Sequence, residues 1–467
     1  MGRTIEIDPV TRIEGHAKVH IELDDSNQVE SAYFHVMEFR GFERFVEGMQ
    51  VELMPTITTR ICGTCPHAHH LVAAKALDNV FSVTPPRAGL LLRQLLNAGS
   101  IIHSHAIHFF VLAAPDLMLP ADTPPAKRNI LGLIEAAPEL AKKMLRLRTL
   151  GQKITEAVGG RGTHPVTAVA GGMAIGLNPA MLEKLRARAD EALDLTRLAV
   201  AEGKKALAAN QERLSLLHQP MHNLGTLQGS MLDLYDGELL ARRPDGSDAG
   251  RFTADNYRTH LFEEALPTTY SKQVLYRDAD AGPSSYRVGP LARLNCADAI
   301  GTPEAADELG QFKEKFGAPC HYTVMNHYAR LIELLYCAER AVALLADPDI
   351  GSPETQAAIS ATPRPAAAHV EAPRGVLIHD YQVDANGIIQ AANFIVATQH
   401  NTWAINGSIK AAAEKLLDQG DQALLDGVEF AIRCYDPCLS CSTHQIGKMP
   451  LALEITRGGR TIRQVRR

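Results

Sequence analysis

The spacing of apolar residues changes along the chain, and the changes mark its elements. Residues 17–24 (AKVHIELD) and 29–36 (VESAYFHV) alternate with period two, which predicts two strands joined by a polar turn at Asp25–Gln28. Further on the period lengthens. Leu92, Leu95, Gly99, Ile102, Ala106 and Phe109 step by three and four along one face of a helix. Asn178-Pro179 places an N-cap before a proline at the first helical position, opening an amphipathic helix that the pattern carries to about Leu214. Val324, Tyr328, Leu331, Leu335, Ala338, Val342 and Leu345 make another apolar stripe. Residues 375–383 (GVLIHDYQV) and 388–397 (IIQAANFIVA) predict two short strands around the turn signal Asp384-Ala-Asn-Gly387. Gly159–Gly172 and Thr362-Pro-Arg-Pro-Ala366 read as loops. With no repeat and no linker, the expected fold is mainly α with small β elements (α+β), one large catalytic domain over residues 1–444.

Composition narrows the classes. The chain has 467 residues, 46% of them apolar, enough for a substantial core. A net charge of −6 gives no basic footprint, so nucleic acid is not an expected partner. No run of 18 apolar residues occurs, so no membrane span is expected. The opening MGRTIEIDPVTR lacks the apolar run of a signal peptide. Eight cysteines are too few for a disulfide scaffold. Cys296, Cys320, Cys337 and Cys434 lie among apolar neighbours and read as buried thiols.

The other four form two tight pairs, Arg60-Ile-Cys62-Gly-Thr-Cys65-Pro-His-Ala-His69 and Asp436-Pro-Cys438-Leu-Ser-Cys441-Ser-Thr-His444. Two residues between cysteines let both thiolates reach one centre, and four thiolates suit zinc, iron–sulfur iron or nickel. On spacing alone a structural zinc site and a thioredoxin-like dithiol both stay open. The flanks add arginine, aspartate and histidine beside the thiols, the ionisable surroundings that proton-coupled redox chemistry uses.

With these flanks the chain resembles the large subunits of nickel–iron hydrogenases. The resemblance rests on Asp8-Pro-Val-Thr-Arg-Ile-Glu14-Gly-His16, both cysteine pairs, Phe39-Arg-Gly-Phe-Glu43, Gly159-Gly-Arg-Gly-Thr-His164-Pro165 and Glu371-Ala-Pro-Arg374-Gly375, spread over residues 5–453. Tyr286–Asn295, His327–Glu333 and Ser440–His444 look most like the cytoplasmic, bidirectional, NAD-linked subgroup, and the cytoplasmic expectation rests on that likeness. The resemblance implies reversible heterolytic splitting of H2 at a nickel–iron centre carrying one CO and two CN⁻. Cys62 and Cys438 would be terminal nickel ligands, and Cys65 and Cys441 would bridge to iron. Cys438 would accept the proton, Glu14 would carry it onward, and Arg374, beside Pro373 and Asp436, would reach over the metals. His69, one helical turn beyond Cys65, would donate to that sulfur. Glu43 and His444 would hold a separate Mg2+ or Fe2+. Relatives carry Asp within a His-Asp-His stretch where this chain has His103-Ser104-His105, which removes one acidic group.

No further cysteine cluster and no Gly-x-Gly-x-x-Gly fingerprint occur. Fe–S clusters, FMN and NAD are therefore expected on partners: a small Fe–S subunit and a diaphorase module, with a maturation chaperone and a C-terminal endopeptidase acting earlier. The same chemistry coupled to a deazaflavin or a heterodisulfide-linked partner is the alternative. A metal-free respiratory-complex relative is a third reading, opposed by the four retained cysteines. Residues 445–467 carry five arginines in their last twelve positions and read as a solvated extension removed on maturation.

Overall fold

The computed structural model describes residues 3–36, 41–120, 122–213, 215–264, 269, 271–439, 452–457 and 460–466. Strands β1 (Arg3–Asp8), β2 (Ala17–Leu23) and β3 (Val29–Val36) pair antiparallel, and the alternation read from the sequence is the burial pattern of β2 and β3. The helical core follows: α1 (Pro66–Val80), α2 (Arg87–Ile107), α3 (Pro138–Gly159) and α4 (Pro179–Ala208). Helix α2 and its continuation to Met118 are long and apolar enough to cross a membrane by length and composition. Most of that stretch is buried inside the protein, which makes it a core helix. It loosens into a π-helical turn at His108–Ala113, where His108 Nε2 meets the Arg433 carbonyl at 2.9 Å.

The cap at Asn178 is formed, its side chain accepting from the Met181 amide. The helix it opens stops at Ala208, short of Leu214. The Asn210 amide donates to the Ala206 and Leu117 carbonyls, satisfying the last turn and tying it to the neighbouring chain segment. A sheet between residues 222 and 287 has no counterpart in the sequence reading: β4 (His222–Gln228), β5 (Glu238–Arg242), β6 (Asp248–Phe252) and β7 (Tyr286–Arg287). Its strands are short and one is buried almost throughout, so the alternation signal is absent.

The short helix α5 (Pro290–Cys296) and the almost wholly buried α6 (Asn326–Ala346) complete the layer beneath the second half of the chain. Strands β8 (Ala366–Ala372), β9 (Gly375–Val383) and β10 (Ile389–Ile395) form an antiparallel sheet. The bounds of β9 are those the sequence predicts; β8 has no such signal. Strand β9 separates two apolar cores, with Leu377 and Tyr381 in the larger and Val376 and Ile378 in the smaller. Helices α7 (Thr402–Leu416) and α8 (Asp421–Tyr435) lead to the second cysteine pair.

The extension is not coil throughout. The backbone of β11 (Ala452–Arg457) and β12 (Arg460–Arg466) forms a hairpin, and β11 pairs antiparallel with β1. The free edge of β1 offers unpaired backbone groups, and an alternating segment can satisfy them whatever its charge.

The interior holds many neutral imidazoles. Burial pushes His70, His103 and His105 down to about 4, and His67, His327, His369 and His400 down to about 3, from an ordinary 6.5. Below pH 6.5 the unfolded chain takes up protons that the folded chain refuses, so stability present above that pH is lost as pH falls toward 4. The urea midpoint is expected to drop steadily between pH 7 and pH 4.5; a midpoint constant over that range would contradict the burial of neutral histidines.

Candidate metal centre

Cys62 ends a 3-10 turn (Thr58–Ile61) in extended conformation, and Cys65 stands immediately before α1, whose first residue is Pro66. The chain doubles back between them, so the Cys65 amide donates to Cys62 Sγ at 3.2 Å and the two sulfurs lie 2.6 Å apart. The second pair arrives from the other end of the molecule. Helix α8 ends at Asp436 in left-handed conformation, φ 54°. Pro437 bars further helix, and Cys438 is held by its amide on Thr398 Oγ1 at 2.9 Å. Cys438 Sγ lies 3.0 Å from Cys62 Sγ and 3.9 Å from Cys65 Sγ. Cys441 and His444 lie outside the described residues.

The three sulfurs share a cavity with His69, Arg374 and Thr398, walled by Ile61, Leu377 and Val396. Hydrogen bonding to Cys62 and Cys65, with burial, pushes the Cys438 thiol well above its ordinary range. For Cys65 the bond to Cys438 pulls down, but Cys62 and burial together raise it strongly. Thiols this crowded do not ionise together unless a cation sits among them. A soft, multivalent metal ion fits this donor set, because it supplies the missing charge and accepts thiolate ligands. The shape is not that of a thioredoxin dithiol, since a third sulfur from a remote segment completes it.

Arg374 occupies the tip of the two-residue turn between β8 and β9. Its Nε donates to the Asp436 carbonyl at 2.8 Å, Nη2 to Asp436 Oδ1 at 3.0 Å, and Nη1 to Ser104 Oγ at 3.4 Å. Burial opposes its charge, but Asp436 and the three cysteines outweigh that and keep it protonated. Ser104, the departure noted in the sequence, thus stands directly beside Arg374. Asp436 Oδ2 is buried without a hydrogen-bond partner among the described residues, and burial raises this carboxyl despite Arg374.

The turn is anchored from behind by Arg293 on α5. Its guanidinium binds Glu333 twice at 2.6 Å and Glu371 at 2.7 Å, and donates to the carbonyls of Ala372 and Pro373 at 2.9 and 3.2 Å. Close approach needs glycine on both sides. A Cβ on Gly375, at φ +135°, would lie 2.2 Å from Val288 Cγ2, and one on Gly289 would lie 2.8 Å from the Arg374 carbonyl.

Glu14 reaches the site through its backbone. It forms a parallel bridge with Cys438, and its carbonyl accepts from the Leu439 amide at 3.0 Å. The preceding residues are clamped to α8: Thr11 donates to Glu429, Arg433 donates to the Thr11 carbonyl, and Arg12 and Arg433 share Asp116 at 2.5 and 2.8 Å. Burial would raise Asp116, but Arg433 and Arg12 hold it below the usual carboxylate range. The His69 ring meets His379 Nε2 through Nδ1 at 3.1 Å and borders the sulfur cavity. Glu43, on the short helix Phe42–Phe45, lines a separate cavity with Glu263, Lys272, Gln399 and Leu439. The sequence reading does not single out Thr398, Arg293 or His379. Arg293 lies inside a segment that carries the resemblance, and nothing local marks the other two.

A family model described as HoxL-like matches residues 4–39, and one described as nickel-dependent hydrogenase matches residues 40–127 and 253–444. The chain belongs to the nickel-dependent hydrogenase family. Among its relatives, a vhu-type F420-non-reducing hydrogenase chain of Methanocaldococcus jannaschii is 40% identical over 89% of this chain and 99% of its own length. The NAD-reducing hydrogenase HoxS subunit beta of Cupriavidus necator is 36% identical over 97% of each. A crystal structure of an NAD+-reducing [NiFe]-hydrogenase in the H2-reduced state aligns with a TM-score of 0.89 and 38% identity, covering 94% of this chain and 99% of that one. The hydrogenase fold is thus that of a large subunit, with a helical core and peripheral sheets.

Because the Gly375 turn has no room for a side chain, Gly375→Ala is expected to destabilise the hydrogenase subunit by about 1–3 kcal/mol, from backbone strain and overpacking. Denaturant midpoints measure it; an unchanged midpoint would mean that the turn is not packed as described.

Proposed function

We propose that this subunit splits H2 reversibly at a nickel–iron centre held by Cys62, Cys65, Cys438 and Cys441. The observation that carries the reading is the meeting of two buried thiols and a half-buried third, from two remote segments, in one cavity with a charged, buried arginine. When bound, the centre supplies the redox chemistry and polarises H2, with CO and CN⁻ as the iron's small ligands. The residues of this chain manage the proton and the field. Cys438, held at its amide by Thr398, receives the proton. Glu14, bridged to Cys438 through the backbone, passes it outward. Arg374, fixed by Asp436, keeps a positive charge over the site without needing to move, which favours charge separation there. Pro373 limits the turn that presents it, and His69 steadies a sulfur. Glu43 and His444 hold Mg2+ or Fe2+ apart from the redox site.

Electrons leave through an Fe–S small subunit and, in this reading, pass to a flavin- and NAD-binding diaphorase module in the cytoplasm. The NAD-reducing relative and the alignment with an NAD+-reducing enzyme support that acceptor. The 40% identical relative is named for not reducing F420, a deazaflavin, which speaks against a deazaflavin acceptor and leaves a heterodisulfide-linked partner as the second reading. Purifying the native complex and testing H2-dependent reduction of NAD+ against that of a heterodisulfide separates the two.

Nickel and iron analysis with infrared spectroscopy tests the centre itself. Replacing any of the four cysteines by Ala is expected to abolish H2 uptake and to lower nickel content, while Ser at Cys296 or Cys320 leaves both in place. A Cys62→Ala variant with full nickel and full activity would overturn the assignment. Glu14→Gln is expected to keep the metals and slow H2/D2 exchange about 10²-fold or more, the scale of a lost proton relay; unchanged exchange would direct the proton elsewhere.

The active subunit is expected to end at His444, after removal of residues 445–467 by a dedicated endopeptidase that follows chaperone-assisted metal insertion. Intact mass of the active complex decides this, since a fully metallated, active chain still carrying Arg467 would show that removal is not needed.

A further inference from the structure

Ser104, His108, Leu112 and Asp116 stand four residues apart along α2 and its continuation, and each meets a segment that builds the metal centre. Ser104 Oγ accepts from Arg374 Nη1 at 3.4 Å. His108 Nε2 lies 2.9 Å from the Arg433 carbonyl, at the end of α8. The Leu112 carbonyl accepts from Arg12 Nη1 at 2.9 Å, and Asp116 takes Arg12 and Arg433 on its two oxygens. One helix face therefore touches the arginine turn, the segment leading to the second cysteine pair and the turn leading to Glu14.

A regular α-helix would not keep these four positions in line. At about 3.6 residues per turn, positions four apart advance about 40° at each step, so the fourth would stand about 120° from the first. The turn at His108–Ala113 is π-helical. Closed by i to i+5 bonds, it uses more than four residues, so positions four apart fall back across it and offset the advance. The π turn thus holds Ser104, His108 and Asp116 on one side.

His108 bears most directly on a sulfur. A carbonyl only accepts, so Nε2 is the nitrogen that carries the ring proton. Burial, then the charge of Arg330, pushes the ring well below 6.5, so it stays neutral with that proton in place. The Arg433 carbonyl also accepts from the Asp436 amide at 3.2 Å, the bond that closes the last turn of α8. The next carbonyl, that of Cys434, accepts from Arg330 Nη2 at 3.2 Å. A helix end leaves its last carbonyls without amides, and here two buried side chains supply donors. From that closed turn the chain runs through the left-handed Asp436 and Pro437 to Cys438. Tilting the Arg433 peptide would swing Cys438 away from Cys62 and Cys65.

We propose that His108 is a positioning residue for Cys438: its Nε2–H, kept in line by the π turn, fixes the closing peptide of α8 and through it the place of that sulfur. The proposal rests on the nickel–iron reading. A residue that never touches the metals would in this way set the geometry of one of their ligands.

The test uses the purified native complex and two substitutions of similar volume. His108→Gln places an amide N–H near the position of Nε2, whereas His108→Met has no donor. The paramagnetic resonance g-values of nickel in an odd-electron state report the geometry of its thiolates independently of turnover. His108→Met is expected to shift those g-values and to lower H2/D2 exchange per nickel about tenfold or more, since a small displacement of a reacting group is costly. His108→Gln is expected to restore the wild-type g-values and most of the exchange. A packing role alone predicts the same result for both variants. Equal shifts in Gln and Met, or a Met variant with wild-type g-values and exchange, would overturn the proposal. If the Met complex does not assemble or load nickel, the Gln variant decides, with shifted g-values or lost nickel counting against the proposal. A wild-type complex without nickel would instead overturn the underlying reading, which separates the two failures.

Discussion

Cys62 and Cys438 are 376 residues apart in sequence and 3.0 Å apart in space, and that meeting is the constraint the rest of the structure satisfies. Two segments from opposite ends of the chain must present sulfur to one point, against a strong tendency of crowded, buried thiols to stay protonated. Neither segment is held by the sulfurs alone. The first is fixed by the start of α1. The second is fixed by a forced helix stop at Asp436-Pro437, by the amide of Cys438 on Thr398 and by a bridge to Glu14. The N-terminal turn is in turn clamped to α8 through Asp116, Glu429 and Arg433, so the same helix carries both the second cysteine pair and its neighbour Glu14.

The positive charge above the sulfurs is controlled with equal rigour. Arg374 is the tip of a two-residue turn, and its guanidinium is held by Asp436, through both side chain and backbone, and by Ser104. Behind it, Arg293 joins two buried carboxylates and two carbonyls of the turn. A buried ion network of this kind adds little net stability, because desolvation consumes most of the attraction. Its effect is geometric: with all partners satisfied, the turn has one arrangement.

The family and the convergence of the cysteines were more legible in the sequence than the individual sheets. Cysteine spacing, the flanking Arg, Asp and His residues and the Glu-Ala-Pro-Arg-Gly segment are local signals; Cys62, Cys65, Cys438, His69 and Arg374 line one cavity and Asp436 is bonded to Arg374, while Arg60 is exposed. Strand β9 and the cap at Asn178 were legible for the same reason, since alternation and capping act over a few residues. The sheet of β4 to β7 was not, because strands buried almost throughout lose their alternation and short ones carry few residues to count. The end of α4 was misplaced because apolar periodicity runs past the point where Asn210 satisfies the last turn. Arg293, Thr398 and His379 owe their roles to partners 40 to 310 residues away, which no local pattern encodes. The hairpin formed by β11 and β12 went unread because charge was weighed above the open backbone edge of β1.

Strand β9 has one side in each of the two apolar cores, and this gives the cavity a movable rear wall. Leu377 borders the sulfurs, while its neighbours Val376 and Ile378 point the opposite way, among Tyr257, Val274 and Ile395. Enlarging or trimming a side chain in that rear core pushes or relaxes the strand as a unit, since close-packed interiors transmit displacement rather than absorb it. The space around the metal can therefore be retuned by substitutions that never enter it, leaving every ligand and every charged group unaltered.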